Sequence, residues 1–412
     1  MRISEEDRRV LRELGEKYMG YASLSAQAEK RAQWIAHNSL QSRRPMVLID
    51  QMPWNELDID GSLICRVQDP YFKEVEWMLR SEIFKWEHLP VDMVLNPYIE
   101  IPRLISDSGY GVVSQVETLE QGDSGVYAQH FTNQFTEPED VEKIKDPVVT
   151  VDRDGEREKM EIAREIFDGI AEVRFRGTVL HLGLWDYITQ CMGVTDCYIE
   201  LLDRPEMMHA IMERLTQAVI ARIEQVNKLG IYDVTSNYCH CSHTFMNELP
   251  GPGCDFENPT THDGWAFGLA QLFSSVSPDI TAEFEVPYMQ RIFPYFGAIY
   301  YGCCEKLDDR LDIIDRMPNI RKISCSPWSD REHFAEVLPK KYIMSNKPNP
   351  ALLAGPTFEE DKVRQDLRRT ISAAKENDLC LEMILKDITT VCHDPERLFR
   401  WAEIAREETE WA

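Results

Sequence analysis

No run of about 18 apolar residues occurs in this 412-residue chain, so no membrane-spanning helix is expected. Basic side chains are few: 45 Lys and Arg stand against 71 Asp and Glu, a formal net charge of −26. Nucleic acid and anionic membrane surfaces are bound through clustered cations, so neither is an expected partner. The first residues, MRISEEDRRVLRELGEKY, are charged throughout and lack the apolar core of a secretion signal. A cytoplasmic location is the expectation that follows. No Gly-x-Gly-x-x-Gly and no Walker A pattern is present, which weakens a nucleotide-binding reading. Internal repeats, low-complexity tracts and long Pro/Gly/Ser linkers are also missing.

Cysteine is not scarce, but its number is odd. Eleven cysteines in a long chain without a secretion signal are unlike a disulfide framework, so reduced thiols are expected. Hydrophobic residues make up 43% of the chain, enough for a sizeable core. At roughly 150 residues per domain the length suits two or three domains, or one α/β barrel of about 250 residues or more.

The first 100 residues read as mainly helical. Val10, Leu11 and Leu14 mark an amphipathic first helix, and Phe72, Val75, Leu79, Ile83 and Trp86 mark another. Residues 110–135 carry short β-prone runs around Gln121-Gly122-Asp123-Ser124-Gly125, which suits a hairpin. A long helix is expected over about 203–229, with Asp203 and Glu206 at capping-box spacing, Pro205 in its first turn and Gly230 as its stop. Residues 232–238 then read as a strand. The last third alternates regularly, with strands at 298–301, 320–325, 342–344 and 379–385, each followed by a helix. Such alternation implies parallel strands and right-handed crossovers: half of a (β/α)8 barrel, or an open doubly wound sheet.

In either architecture chemistry sits at the C-terminal ends of the strands. After 298–301 come Cys303, Cys304 and Glu305, able to offer thiolate and carboxylate ligands to Zn2+. Neighbouring side chains on a regular strand diverge, so one cysteine at most is expected to ligate, with Glu305 or a residue from another loop. After 342–344 come Lys347 and Asn349; after 379–385 come Lys386 and Asp387, a cation and a ligand or acid/base group. Trp185 and Asp186 follow a fifth candidate strand. Cys239-His240-Cys241-Ser242-His243 packs four soft or borderline ligands into five residues, but lacks a partner at zinc-finger spacing. It reads as pocket lining rather than a finger.

Three segments resemble the uroporphyrinogen decarboxylase superfamily. Residues 201–209, LLDRPEMMH, look like its L-x-D-x-P-E-x-x-H helix start. Residues 277–288, SPDITAEFEVPY, resemble its SPE-x-F-x-EF-x-x-PY segment, and 394–398, DPERL, its closing tPE-x-v helix. The resemblance implies a (β/α)8 TIM barrel over 101–412 with a helical N-terminal extension over 1–100. The superfamily's decarboxylases carry an R-Q-A-G-R segment that binds porphyrin carboxylates. It is absent here, where residues 45–54 read PMVLIDQMPW, and a −26 chain suits an octa-anionic substrate poorly.

The chain therefore resembles the corrinoid-dependent methyltransferase branch, as a divergent member. The cysteine of that branch's His-x-Cys-Gly zinc motif falls on Cys303 or Cys304, and no histidine stands at the matching place. What this implies is a methyltransferase moving a methyl group between a small-molecule donor and a corrinoid (cobalamin) carrier, with zinc assistance. Cys303, Cys304, Glu305 and Asp387 are the expected metal ligands. Tyr301, Glu305, Lys386 and Asp387 are the expected catalytic groups, and His240, His243, Trp185, Lys347 and Asn349 the expected substrate contacts. The chain has no Asp-x-His-x-x-Gly signature, so the corrinoid would come from a partner protein; a homodimer is one option for its assembly. A uroporphyrinogen-type or small-acid decarboxylase and a non-catalytic binding barrel are the alternatives.

Overall fold

In the computed structural model, which describes residues 3–119 and 128–410, seven strands form one parallel sheet. They are β1 (Met46–Ile49), β2 (His181–Leu182), β3 (Trp265–Gly268), β4 (Ala298–Tyr301), β5 (Ile320–Cys325), β6 (Ile343–Asn346) and β7 (Cys380–Leu385). The order is β1-β7-β6-β5-β4-β3-β2. The protein is thus of the α/β class. From β4 onward each strand is followed by a helix: Leu311–Ile314, Arg331–Val337, Glu360–Glu376 and Glu396–Glu410. These strands are buried along almost their whole length, as strands covered on both faces are; β4 is apolar or aromatic throughout, while β5, β6 and β7 also bury polar residues. The helix Glu360–Glu376 turns Val363, Leu367, Ile371 and Ala374 inward at spacings of three and four. Each such aliphatic burial contributes roughly 1.5–3 kcal/mol for a larger side chain.

The N-terminal hundred residues contain the expected helices, Glu5–Ala22, Ser25–Asn38 and Pro70–His88. They also contain β1, which pairs in parallel with β7 from Met46↔Glu382 to Ile49↔Leu385. That part of the chain is therefore hydrogen-bonded into the main sheet. The expected hairpin exists as Val116–Leu119 paired antiparallel with Ala128–Phe131. Its turn, 121–125, lies outside the described residues.

Two local expectations are corrected. The long helix spans Pro205–Leu229 and stops at Gly230 (φ 61°), but Asp203 does not cap it. Asp203 is the last residue of the preceding helix Val194–Asp203, so no capping box forms; Arg204 stands between them and binds Glu200. The strand expected at 232–238 is broken: Tyr232 keeps a single parallel bridge to Thr178, and Tyr238 opens a separate two-residue strand, Tyr238–Cys239, paired antiparallel with Ser242–His243. Asp233 makes the break by accepting the amides of Thr235 and Ser236 on Oδ1, which turns the chain. Among the described residues no helix is long and apolar enough to cross a membrane.

Candidate active site

The chain leaves β4 through Gly302 at φ 89°. Only glycine holds that conformation cheaply, and a Cβ there would meet Leu307 Cδ1 at 2.6 Å. A bend follows, carrying Cys303, Cys304 and Glu305. It removes the reason for expecting only one thiol at the site: off the strand the two side chains converge, and their sulfurs lie 3.4 Å apart. Lys386 and Asp387 arrive at the same sheet edge from β7. Lys386 Nζ donates to Cys303 Sγ at 2.8 Å, and Cys304 Sγ donates to Asp387 Oδ2 at 3.2 Å. Asp387 has φ 56°, a setting that non-glycine residues hold only where the surroundings enforce it. One ligand atom from each of Cys303, Cys304 and Asp387 lies within 4.8 Å of the others.

Cys303 is the thiol set up to ionise. Its contact with the Cys304 sulfur pulls its pKa well down against burial, and His240 and Lys386 add to the effect. The same contact, with burial, drives the Cys304 thiol far up. Burial opposes the charge on Lys386, but Cys303 and Cys241 hold it above the ordinary lysine value. His240 is pushed up to about 9: burial works against its charge, and the Cys241 sulfur 3.0 Å away outweighs it. Its ring is stacked on Phe267, centroids 3.8 Å apart, and its backbone is left-handed at φ 55°.

The other expected residues divide. Glu305 is not in the thiol group. Its oxygens accept the amides of Cys303 (2.7 Å) and Ala270 (3.2 Å), so it shapes the bend. Tyr301 points away from the site, its hydroxyl 3.4 Å from Glu285 Oε1 and its ring against Phe293. Successive residues on a strand face opposite sides, and it is Tyr300 that faces the polar interior. Trp185 is fully buried, donating to the Phe284 carbonyl at 3.1 Å and packed on Phe273; the core uses it. Asn349 accepts the Ala351 amide at 3.0 Å at the start of a short helix, apart from the thiols. Lys347 is buried and bound to Ser345 and to the Tyr300 hydroxyl. His240 and His243 both line a cavity of about 390 Å³. His243 is neutral there, burial holding it down at about 3, with Nε2 accepting the Val94 amide at 3.0 Å.

A second constellation escaped the reading of the sequence. Lys322 of β5 donates to Glu382 of β7 at 2.7 Å, both fully buried. Glu382 also accepts from Ser242 (2.8 Å) and Ser345 (2.6 Å). Ser345 lies 2.7 Å from Tyr300, whose hydroxyl is 3.5 Å from Cys241 Sγ. The chain of contacts thus runs from Lys322 to Cys241 and His240. The signal was there: Glu382 is the one charged residue of β7, and Lys322 sits among apolar neighbours in β5 beside the partly exposed Arg321.

No family model matches this chain, and no curated protein matches it. Among solved structures it is similar to a methyltransferase from Methanosarcina mazei, with a TM-score of 0.51. The likeness covers 93% of this chain and 98% of that one at 11% identity, and at that identity it speaks for the fold.

Proposed function

We propose that this chain is a methyltransferase that moves a methyl group between a small-molecule donor and a corrinoid (cobalamin) carrier held by a partner protein. The observation that carries the reading is the convergence of Cys303, Cys304, Asp387 and Lys386 at one sheet edge. The whole-chain likeness to a methyltransferase fold supports it. The same reading makes the sheet a closed (β/α)8 barrel. β4 and β7 stand three places apart, ~14 Å in a flat sheet. Lys386 nevertheless meets Cys303 at 2.8 Å, and closure would bring the two together.

The donor set fits zinc. In a tetrahedral thiolate site the ligand atoms stand ~3.7 Å apart, and here the separations are 3.4 Å between sulfurs and 3.2 Å from Cys304 Sγ to Asp387 Oδ2. Cys303, Cys304 and Asp387 would hold the ion, which supplies Lewis acidity toward a donor heteroatom or an acceptor thiol. The residues have duties of their own. Lys386 and His240 favour the anionic form of Cys303, and Asp387 accepts a hydrogen bond from the Cys304 thiol. Glu305 fixes the bend through two amides, and His240 stands between the thiols and the cavity.

Metal analysis of the purified protein tests this. One zinc per chain is expected, lost in Cys303→Ser and in Asp387→Asn while the fold is retained by circular dichroism. A wild-type protein that takes up no zinc from micromolar solution removes the metal from the proposal. Absence of methyl transfer to cob(I)alamin with any methylated donor removes the reaction.

A further inference from the structure

All eleven cysteines are free thiols, and two of them are neighbours both in sequence and in space. The Cys303 and Cys304 sulfurs lie 3.4 Å apart. A disulfide holds them at ~2.05 Å, so rotation of the two side chains has only ~1.4 Å to close. The bend after β4 makes this approach. On an extended strand, adjacent side chains point to opposite faces and do not meet. Here Gly302 at φ 89° and the Glu305 carboxylate on the Cys303 amide hold the chain turned.

The two sulfurs have opposite partners. Lys386 Nζ, a proton donor, stands 2.8 Å from Cys303 Sγ. Asp387 Oδ2, a proton acceptor, stands 3.2 Å from Cys304 Sγ and takes its hydrogen bond. An acid at one sulfur and a base at the other is the pairing that oxidation of a dithiol uses. Cys304 and the Asp387 side chain are partly exposed, while Cys303 is buried. An oxidant little larger than water reaches such a pair more readily than a bulky disulfide does.

We propose that Cys303 and Cys304 join in a reversible disulfide when the chain meets hydrogen peroxide. The Cys303 sulfur attacks one peroxide oxygen and the O–O bond breaks. The departing hydroxide leaves as water with a proton from Lys386, which solvent restores. Cys303 is then a sulfenic acid. Cys304 passes its proton to Asp387, and its sulfur attacks the Cys303 sulfur. The S–O bond breaks, and hydroxide leaves as water with the proton that Asp387 held. Two electrons pass from the two thiols to one peroxide, which becomes two waters. The Cα atoms stay at the ~3.8 Å of one trans peptide, below the ~4.4 Å at which ordinary bridges begin, so a dithiol reductant reopens the bond readily. The bond stands on the sulfur geometry; its consequence, expulsion of zinc, rests on the reading given under Proposed function.

Trypsin releases residues 292–306, IFPYFGAIYYGCCEK, a peptide that holds these two cysteines and no other. The full chain is stripped of metal with EDTA, treated with equimolar hydrogen peroxide, alkylated with iodoacetamide, digested and weighed. The peptide is expected without label and lighter by two hydrogens than its dithiol form. Dithiothreitol before alkylation should return it doubly labelled. In Asp387→Asn the closure should slow roughly tenfold or more, because the attacking sulfur loses its proton acceptor, and dimedone should trap the sulfenic acid. A doubly labelled peptide after peroxide, or one carried to sulfinic acid without a disulfide, overturns the proposal. So does equal closure in folded Asp387→Asn. Zinc-loaded protein should release its metal on the same treatment, read with a chromophoric zinc indicator. The two ideas fail separately: a disulfide in a chain that takes up no zinc sinks the metal, and zinc uptake by a chain whose thiols stay labelled sinks the bond.

Discussion

Gly302 carries much of the site's geometry on one residue. Its φ of 89° lets β4 release the chain into a bend tight enough to bring two neighbouring thiols together. Gly302→Ala adds a Cβ in a left-handed backbone, 2.6 Å from Leu307 Cδ1 and 3.1 Å from Ser324 Cβ. The expected cost is about 1–3 kcal/mol, read as a lowered guanidinium midpoint, with weakened zinc retention because the bend must shift. A variant as stable as the wild type with full zinc would contradict this account. The residue types at the site were legible, since two thiols, a lysine and an aspartate at strand ends can be picked out without a structure. Which of them face each other was not. Tyr301 was chosen where the parity of the strand turns Tyr300 inward, and a one-residue uncertainty in register reverses every such choice.

Strands β5 and β7 are joined through the interior by Lys322 and Glu382. Burial disfavours the charge on each; it pulls Lys322 below the ordinary lysine value, while for Glu382 the attraction of Lys322, with Lys347 and His37 nearby, outweighs burial and holds the carboxyl down at about 2. Removing one partner leaves the other charged and buried without compensation. Lys322→Met should therefore cost about 3–5 kcal/mol in denaturant unfolding. Lys322→Met with Glu382→Met should cost much less than the two single changes together. Additive losses would mean that the pair is not coupled as the geometry requires. At this scale the sequence was most readable in the last third, where apolar runs bounded by turn residues became β4 to β7 with ends within a residue or two. β1 and β3 are four-residue apolar runs, too short for periodicity to separate strand from helix or loop. Residues 232–238 failed in the opposite sense: strand-like composition lost to the Asp233 turn.

Across the whole molecule, an acidic chain with a buried polar interior divides its ionisable groups into two opposing sets. His37 and His243 are held neutral by burial at about 3, so their stabilisation is full above ~6.5 and fades as pH falls toward 3. Asp186 is pushed up to about 7 by burial and then Glu305. Between about 3.8 and 7 the folded state binds a proton there that the unfolded chain releases, so its contribution is present at low pH and fades as pH rises. Asp186→Asn removes that term. The stability of the variant relative to the wild type should climb between pH 4.5 and 7, by up to ~1.4 kcal/mol per pH unit. A flat difference would show that Asp186 is ionised in the fold. Composition, period and turn residues by themselves determined an α/β chain without membrane helices, its parallel C-terminal strands, and the loops where chemistry would gather. Those properties are local, and local spacing encodes them. Tertiary structure alone decided that Lys386 meets Cys303 across 83 positions of sequence, that Lys322 finds Glu382, and that Glu100 Oε1 is buried without a hydrogen-bond partner. Such contacts arise from the curvature of a sheet and the stacking of layers, which no short window of residues contains.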